Sequence, residues 1–198
     1  MSSDAIPNVR PSAARQRILD TAFRLFYAHG IRGVGIDRII AESGVAKATF
    51  YKHFPAKDDL ALAYLDRVDE QWTGQLKDAA QAAGDEPAEQ LVGLYDALLS
   101  ACRRDGYRGC GFINAAAESE AGTPLHARTV AHKDAIRGWM RGLASDAGAS
   151  DPDGLARSLS LLLDGGLASG VLDGSPEAPR TAKTAARSLV ELALAPTH

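Results

Sequence analysis

The sequence contains little cysteine and no long apolar run. Its 198 residues include two cysteines, Cys102 and Cys110, which are too few for a disulfide framework and do not form the CxxC pair that would suggest zinc. Residues 1–11 are polar and lack the apolar stretch of a targeting segment. No later run approaches the ~18 apolar residues that a membrane span needs. We therefore expect a cytoplasmic protein with reduced thiols and with no metal site, no cofactor and no membrane partner.

Basic residues do not outnumber acidic ones, since the chain carries a formal net charge of −3 at pH 7. This average hides an uneven distribution. Residues 1–57 hold nine basic and four acidic side chains, whereas residues 58–198 hold 13 basic and 21 acidic ones. A basic segment joined to an acidic remainder is typical of a protein in which one module meets phosphates and the other does not.

Strand signals are nearly absent, because apolar residues recur at three- and four-residue spacing instead of alternating. The pattern predicts an all-α protein. The predicted helices cover about residues 12–29, 36–43, 46–53, 58–83, 88–104, 111–120, 124–147, 153–171 and 179–194. Gly30 and Gly44 stop the first two helices, and Pro55 prevents continuation of the third. The boundary between the modules is expected inside the long fourth helix.

Residues 39–54 have the parts of a helix-turn-helix. The apolar residues and the glycine that would hold the motif together are Ile39, Ile40, Gly44, Val45, Phe50 and Phe54. The side chains left facing outward are Lys47, Ala48, Thr49, Tyr51, Lys52 and His53. Two cations with hydroxyl, phenol and imidazole groups around a small alanine suit phosphates and base edges in a major groove. The alternative is a solvated surface helix, since short basic helices are common.

The order and spacing of these residues resemble the DNA-binding domain of the TetR (tetracycline-repressor) family of bacterial regulators. The matching elements are Ile18-Leu19 to Phe26, Gly30, Ile39, Gly44-Val45, Thr49 to Phe54 and Lys57 to Leu60. The resemblance covers about residues 12–72. It implies a second, helical domain over residues 73–198 that binds a ligand and dimerises.

The resemblance also implies roles for single residues of the recognition helix. Base-edge contacts are expected from Lys47, Ala48 and Thr49. Phosphate or base contacts are expected from Tyr51, Lys52 and His53, and a phosphate clamp from Lys57. Gly35 and Ala46 depart from the family pattern, because Ser or Thr is common at both positions. Glycine is tolerable as a cap, whereas alanine loses a side-chain cap worth ~1 kcal/mol, and neither change alters the expected fold.

A two-fold dimer would place one recognition helix in each half of a palindromic operator, with half-sites about 34 to 36 Å apart or slightly more. We expect the dimer interface in the last two helices. The residues assigned to it are Leu155, Leu159, Leu162, Leu163, Gly166, Gly170, Leu189, Leu192 and Leu194. The alternative is that this face belongs to an intramolecular core.

Aromatic and polar side chains of the second half are candidate effector contacts. The residues assigned to this role are Trp72, Tyr95, Cys110, Phe112, Asn114 and Trp139, and Tyr64, His126 and His132 are further candidates. Residues 108–118 also resemble a Gly-Cys and Asn-x-x-x-Glu element of many TetR-type effector domains. Taken singly, each of these residues is more typical of ordinary core or surface than of an effector contact.

The expected function is that of a homodimeric, ligand-responsive transcriptional repressor, released from its operator by a small apolar or aromatic effector. We expect no enzymatic activity. Cys110 opens an alternative, because a helix N-terminus beside Arg108 favours the thiolate and suits a redox- or electrophile-responsive regulator. Two further alternatives are an enzyme with Cys110 as nucleophile and His126 or His132 as base, and an architectural DNA-binding protein without an effector.

Overall fold

The computed structural model describes residues 12–195, and within that range the regular structure is α-helical, which confirms the predicted fold class. The helices are α1 (Ala13–His29), α2 (Ile36–Ser43), α3 (Lys47–His53), α4 (Lys57–Ala82), α5 (Pro87–Gly93), α6 (Tyr95–Cys102), α7 (Gly111–Glu118), α8 (Pro124–Asp146), α9 (Pro152–Asp173) and α10 (Glu177–Leu194). The expected lack of a targeting segment concerns residues 1–11, which lie outside the described residues.

The chain divides into two compact units between Tyr64 and Leu65, inside α4. We call them the N-terminal unit and the C-terminal unit. The boundary predicted from the sequence, after residue 72, lies in the same helix but about two turns later.

The core of the N-terminal unit forms where α1 packs against α2 and α3. The side chains buried there include Ile18, Leu25, Ile39 and Phe50, all without exposed surface. Tyr64, near the end of the unit, lies edge-on to Phe23 and Phe26, with both pairs of ring centroids 5.6 Å apart. Such edge-to-face contacts are favourable beyond the area they bury, so α4 is fixed to α1 at this point.

In the C-terminal unit α9 packs against α8 and α10, and α6 lies against α9 and α10. By length and composition α9 could cross a membrane, so the prediction that no run is long and apolar enough was wrong. Part of this apolar character belongs to the protein core, since 44% of the most apolar stretch of α9 is buried inside the protein. Leu159 and Leu163 are nearly or fully buried there, as expected for the core helix of a globular unit.

The predicted helix over residues 88–104 is two helices, α5 and α6, separated at Leu94. Gly93 ends α5, and glycine weakens a helix interior. A Cβ at Gly93 would lie 2.3 Å from the Cβ of Ala83, so the glycine is required by the close approach of the segment that follows α4. The apolar period predicts one continuous helix and therefore does not reveal the separation at Leu94.

Most of the face assigned to a dimer interface is intramolecular core. The buried members are Leu155, Leu159, Leu163, Gly166 and Gly170. A Cβ at Gly166 would lie 2.5 Å from Cδ2 of Leu98. A Cβ at Gly170 would lie 2.6 Å from Sγ of Cys102. Both glycines therefore admit α6 of the same chain, whereas Leu162, Leu189, Leu192 and Leu194 keep exposed surface.

Candidate nucleic-acid interface

The helix-turn-helix consists of α2, a glycine turn and α3. Gly44 ends α2 in the left-handed conformation (φ 66°, ψ 26°), and its N–H donates to the carbonyl of Ile40 at 3.2 Å. Glycine adopts this conformation without the steric cost of a Cβ, as the sequence predicted. Val45, 8% exposed, fills the inner side of the turn, and the fully buried Ile39 anchors α2.

The recognition helix α3 has one buried and one exposed side. Phe50, and Phe54 directly after the helix, are 0% and 2% exposed. The opposite side presents Lys47, Ala48, Tyr51 and Lys52 to solvent, with Thr49, His53 and the first residue of α4, Lys57, half-buried. The outward set predicted from the helical period therefore lies on the accessible side of α3.

By itself α3 is too short to be stable. It has seven residues, and its N-cap, Ala46, makes no side-chain hydrogen bond. Isolated helices of this length do not persist in water, so contacts from α1 and α2 must fix its position.

At its C-terminal end α3 contacts the first turn of α1. The Oγ of Ser12, the N-cap of α1, lies 3.0 Å from Nε2 of His53 and also accepts a hydrogen bond from the backbone N–H of Arg15 at 3.2 Å. The guanidinium of Arg15 lies 5.1 Å from the ring centre of Phe54. Sequence analysis assigned His53 to DNA and missed this contact, because Ser12 is 41 positions away.

At its N-terminal end α3 is joined to α2 by an ion pair. The Nζ of Lys47, the first residue of α3, lies 3.6 Å from Oδ1 of Asp37 in the first turn of α2. Asp37 is not among the residues singled out from the sequence. Its predicted position in the first turn of α2, the helix that supports α3, is the feature of the sequence that could have identified it.

Glu42 holds two arginines between α1 and α2. Its carboxylate lies 2.6 Å from Nη2 of Arg24 and 2.8 Å from Nε of Arg38. These hydrogen bonds keep the pKa of the Glu42 carboxyl below its usual range. Glu42 is therefore ionised at neutral pH. It forms ion pairs with two of the nine basic residues of the N-terminal segment, residues 1–57.

Comparison with known proteins assigns the chain to a family. The family model "Bacterial regulatory proteins, tetR family" matches residues 18–64. The crystal structure of SCO4454, a TetR-family transcriptional regulator from Streptomyces coelicolor, is similar over 92% of this chain and 96% of that chain, with 37% sequence identity and a TM-score of 0.85. This chain belongs to the TetR family.

Curated relatives of this TetR-family chain carry the same kind of description. The HTH-type transcriptional regulator LmrA of Bacillus subtilis is 39% identical over 79 residues, which are 39% of this chain and 42% of the relative. YjdC of Escherichia coli, an HTH-type transcriptional regulator, is 25% identical over 184 residues, 90% of this chain and 94% of the relative. The chain matches less than half the length of the first curated relatives. It is a DNA-binding transcriptional regulator, as its resemblance to the family implied.

The candidate effector residues of the TetR-family chain lie at different depths in the C-terminal unit. Tyr95 and Phe112 are fully buried, Trp72 and Trp139 are half-buried and Asn114 is exposed. The hydroxyl of Tyr95 donates to a backbone carbonyl of α9 at 2.6 Å, and burial raises the pKa of this hydroxyl well above its usual range. Which of these residues contact an effector stays a prediction.

Cys110 is the N-cap of α7, close to its predicted place, and is 8% exposed. The Nζ of Lys133 lies 3.8 Å from its Sγ and also forms an ion pair with Asp164 of α9. His126, a further candidate effector contact, has a buried Nδ1 for which the described residues offer no hydrogen-bond partner.

A polar cluster that sequence analysis missed joins α4 to α7 and α8 within the C-terminal unit. Arg128 binds Asp66 through Nε at 2.7 Å and Asp69 through Nη2 at 2.6 Å. The Nδ1 of His132 lies 2.7 Å from the same Asp69 carboxylate. The imidazole of His132 is stacked on Phe112, with centroids 3.8 Å apart and 5° between the planes. We call these five residues the α4–α8 cluster.

Burial and hydrogen bonding set the protonation states in the α4–α8 cluster. Burial raises the pKa of Asp69, but hydrogen bonds from Arg128, His132 and Thr73 outweigh it and hold that pKa below its usual range. Burial lowers the pKa of His132 below its usual range, although Asp69 opposes the shift. His132 is therefore neutral at pH 7, and its Nδ1–H donates to the ionised carboxylate.

An apolar face of α9 and α10 remains uncovered in the C-terminal unit. Leu161 and Leu172 of α9 and Leu192 of α10 are 77%, 84% and 74% exposed. Leu161 also lines a groove of about 430 Å³, whose other lining residues are mostly small, among them Gly165, Ser169, Ala178, Thr181 and Ala185. Large apolar side chains beside small ones can interdigitate with a similar surface.

Proposed function

We propose that this TetR-family chain is a cytoplasmic transcriptional repressor that binds a palindromic operator as a homodimer and leaves it when a small apolar or aromatic effector binds. The observation that carries the DNA-binding assignment is the accessible side of α3. Phe50 and Phe54 fix the helix from behind, so the polar groups in front are presented in a defined arrangement.

Roles on that side follow from position and chemistry. The residues that begin α3 read base edges, because the N-terminal part of a recognition helix enters the groove. These are Lys47, Ala48 and Thr49. The residues that position the protein on phosphates are Tyr51, Lys52, His53 and Lys57. His53 does so while it contacts Ser12.

Selection from random duplexes at about 100 mM salt tests the DNA-binding assignment. We expect a palindromic site, and we expect Lys47→Ala to weaken binding to it by ~1 to 3 kcal/mol if the lysine makes a good base contact. Arg137→Ala, which removes an exposed cation of α8, is the control and should leave affinity unchanged. A selection that enriches no sequence would overturn the proposal.

The homodimer assignment rests on the uncovered face of α9 and α10. Leu161 and Leu172 lie eleven residues apart on α9, about three helical turns, and therefore share one side of the helix. A soluble protein rarely leaves such a stripe exposed. Pairing α9 and α10 of two chains would form a four-helix seam that covers it.

Release by an effector rests on the α4–α8 cluster. α4 begins in the N-terminal unit and carries Asp66 and Asp69 in the C-terminal unit. A ligand that separates α8 from α4 must break these hydrogen bonds. If it binds more tightly to the separated arrangement than to the joined one, it would lower the population of the state that binds DNA.

A panel of small aromatic compounds should include members that raise the melting temperature, because a ligand of the folded state stabilises it. The same compounds should weaken operator binding.

Regulation through Cys110 is a second candidate. The ammonium group of Lys133 lies 3.8 Å from its Sγ, and the burial of Cys110 restricts the access of a reagent. Treatment with a thiol-reactive electrophile should then abolish operator binding by the wild type and spare Cys110→Ser. Equal responses would exclude this mode.

A further inference from the structure

Asp37 places a negative charge at the start of the recognition helix. Its carboxylate lies 3.6 Å from the ammonium group of Lys47, and the two side chains are 89% and 68% exposed. Both charges remain hydrated in the free protein. An ion pair of this kind adds little to folding stability, so the pair is not explained by the fold.

Other carboxylates of the N-terminal unit have local structural roles. Glu42 holds Arg24 and Arg38 between α1 and α2. Asp59 accepts a hydrogen bond from the backbone N–H of Ala56 at 2.9 Å, at the start of α4. Asp37 also lies in the first turn of a helix, α2, where an acid is mildly favourable. Unlike these two, it faces a residue proposed to read DNA.

We propose that Asp37 is a specificity-determining residue that weakens nonspecific DNA binding by engaging Lys47. The proposal rests on the proposed role of Lys47 in base recognition. Nonspecific binding is driven by contacts of cations with phosphates and by the release of counterions. To contact a phosphate, Lys47 must break its ion pair with Asp37. The Asp37 carboxylate is then left without its partner and repels the nearby phosphates.

At the cognate site the exchange has a different outcome. A lysine that reaches a base edge forms a directed contact that a random duplex does not offer, and this contact compensates for the lost ion pair. Specificity is the difference between the affinities for the cognate and the nonspecific site. A group that weakens the nonspecific complex more than the cognate complex therefore raises the specificity.

Asp37→Asn tests the proposal on the operator found by selection and on a scrambled duplex of equal length. We expect affinity for the scrambled duplex to rise about three- to tenfold, from the loss of one short-range charge interaction in water. A plot of the logarithm of this affinity against the logarithm of salt concentration should become steeper by about the amount expected for one additional phosphate contact. Affinity for the operator should change less, so that the ratio of the two affinities falls. Asp37→Glu keeps the charge and should keep the ratio.

The matched control is Asp20→Asn, which removes the same charge from α1, where the carboxylate accepts a hydrogen bond from Gln16. If the ratio of operator affinity to scrambled-duplex affinity falls equally for both variants, the effect comes from the net charge of the protein and the proposal is overturned. Weaker binding of Asp37→Asn to both duplexes, with a lower melting temperature, would assign Asp37 to helix stability and overturn it as well.

A double-mutant cycle with Lys47→Ala separates the pair from its surroundings. If Asp37 acts through Lys47, Asp37→Asn should have little effect on the scrambled duplex once the lysine is gone. Additive effects would overturn the proposal. If Lys47→Ala alone leaves operator binding unchanged, the assigned base contact fails, which is a different result from a failure of Asp37.

Discussion

One hydroxyl at the start of α1 serves two elements. The Oγ of Ser12 caps α1 through Arg15 and contacts the imidazole of His53 at the end of α3. A serine oxygen can accept from one group while its own hydrogen is shared with another. Formation of the first turn of α1 and placement of the recognition helix are therefore linked through a single side chain.

Ser12→Ala should lower the free energy of unfolding by ~1 kcal/mol, the usual cost of an N-cap, measured by urea denaturation. It should also weaken operator binding, because His53 loses its contact. Thr123→Ala is the matched control, since Thr123 caps α8 in the C-terminal unit by accepting from the N–H of His126. It should cost similar stability and leave operator affinity unchanged. Equal losses of affinity would disprove the link.

The outward side of α3 could be predicted from the sequence, but the partners of its end residues could not. The helical period decides which residues face outward, and it is a local property. The contacts of His53 with Ser12 and of His132 with Asp69 join residues 41 and 63 positions apart. Such pairs depend on how helices pack, which one sequence does not reveal.

Among the helices, those of the N-terminal unit were predicted almost to the residue. α2 was predicted over 36–43 and observed as Ile36–Ser43, because glycines mark both of its ends. The separation of α5 from α6 at Leu94 was missed, because the apolar period continues across it. Gly93 was the feature of the sequence that could have indicated the end of α5, but the apolar period around it favours one continuous helix.

Burial of His132 in the α4–α8 cluster should make stability depend on pH. The unfolded chain protonates His132 near its ordinary pKa of 6.5, whereas burial lowers the pKa in the folded protein. Below pH 6.5 the unfolded state therefore binds more protons, and stability must fall as pH falls through the lower, folded pKa. Asp69, whose folded pKa is also lowered, extends this loss below its ordinary pKa of 3.8.

The measurement is urea denaturation at pH 7.5 and pH 5.5. His132→Gln removes the titrating group and keeps a donor for Asp69, so it should lose less stability than the wild type between the two conditions. An unchanged difference would mean that His132 is protonated equally in both states. An NMR titration should then show its imidazole resonance moving near the ordinary pKa.

At the scale of the whole molecule, we expect DNA binding to depend on the proposed dimer. Leu172→Glu puts a charge into the uncovered face of α9 and should yield a monomer by sedimentation. Because two linked sites gain effective concentration, operator affinity should fall at least ~100-fold. Val130→Glu, on a 45% exposed residue of α8, should remain a dimer. Tight operator binding by a Leu172→Glu monomer would contradict the assignment.

The division of the chain inside α4 limits how its parts can be exchanged. Tyr64 and Leu65 are consecutive residues of one helix, 2% and 0% exposed, so a protease finds no extended segment between the units. A hybrid that joins the N-terminal unit to the C-terminal unit of a relative has its junction in helical backbone. One residue too many there rotates everything that follows by about 100° around the helix axis. Working hybrids should therefore keep the length of α4 unchanged across the junction.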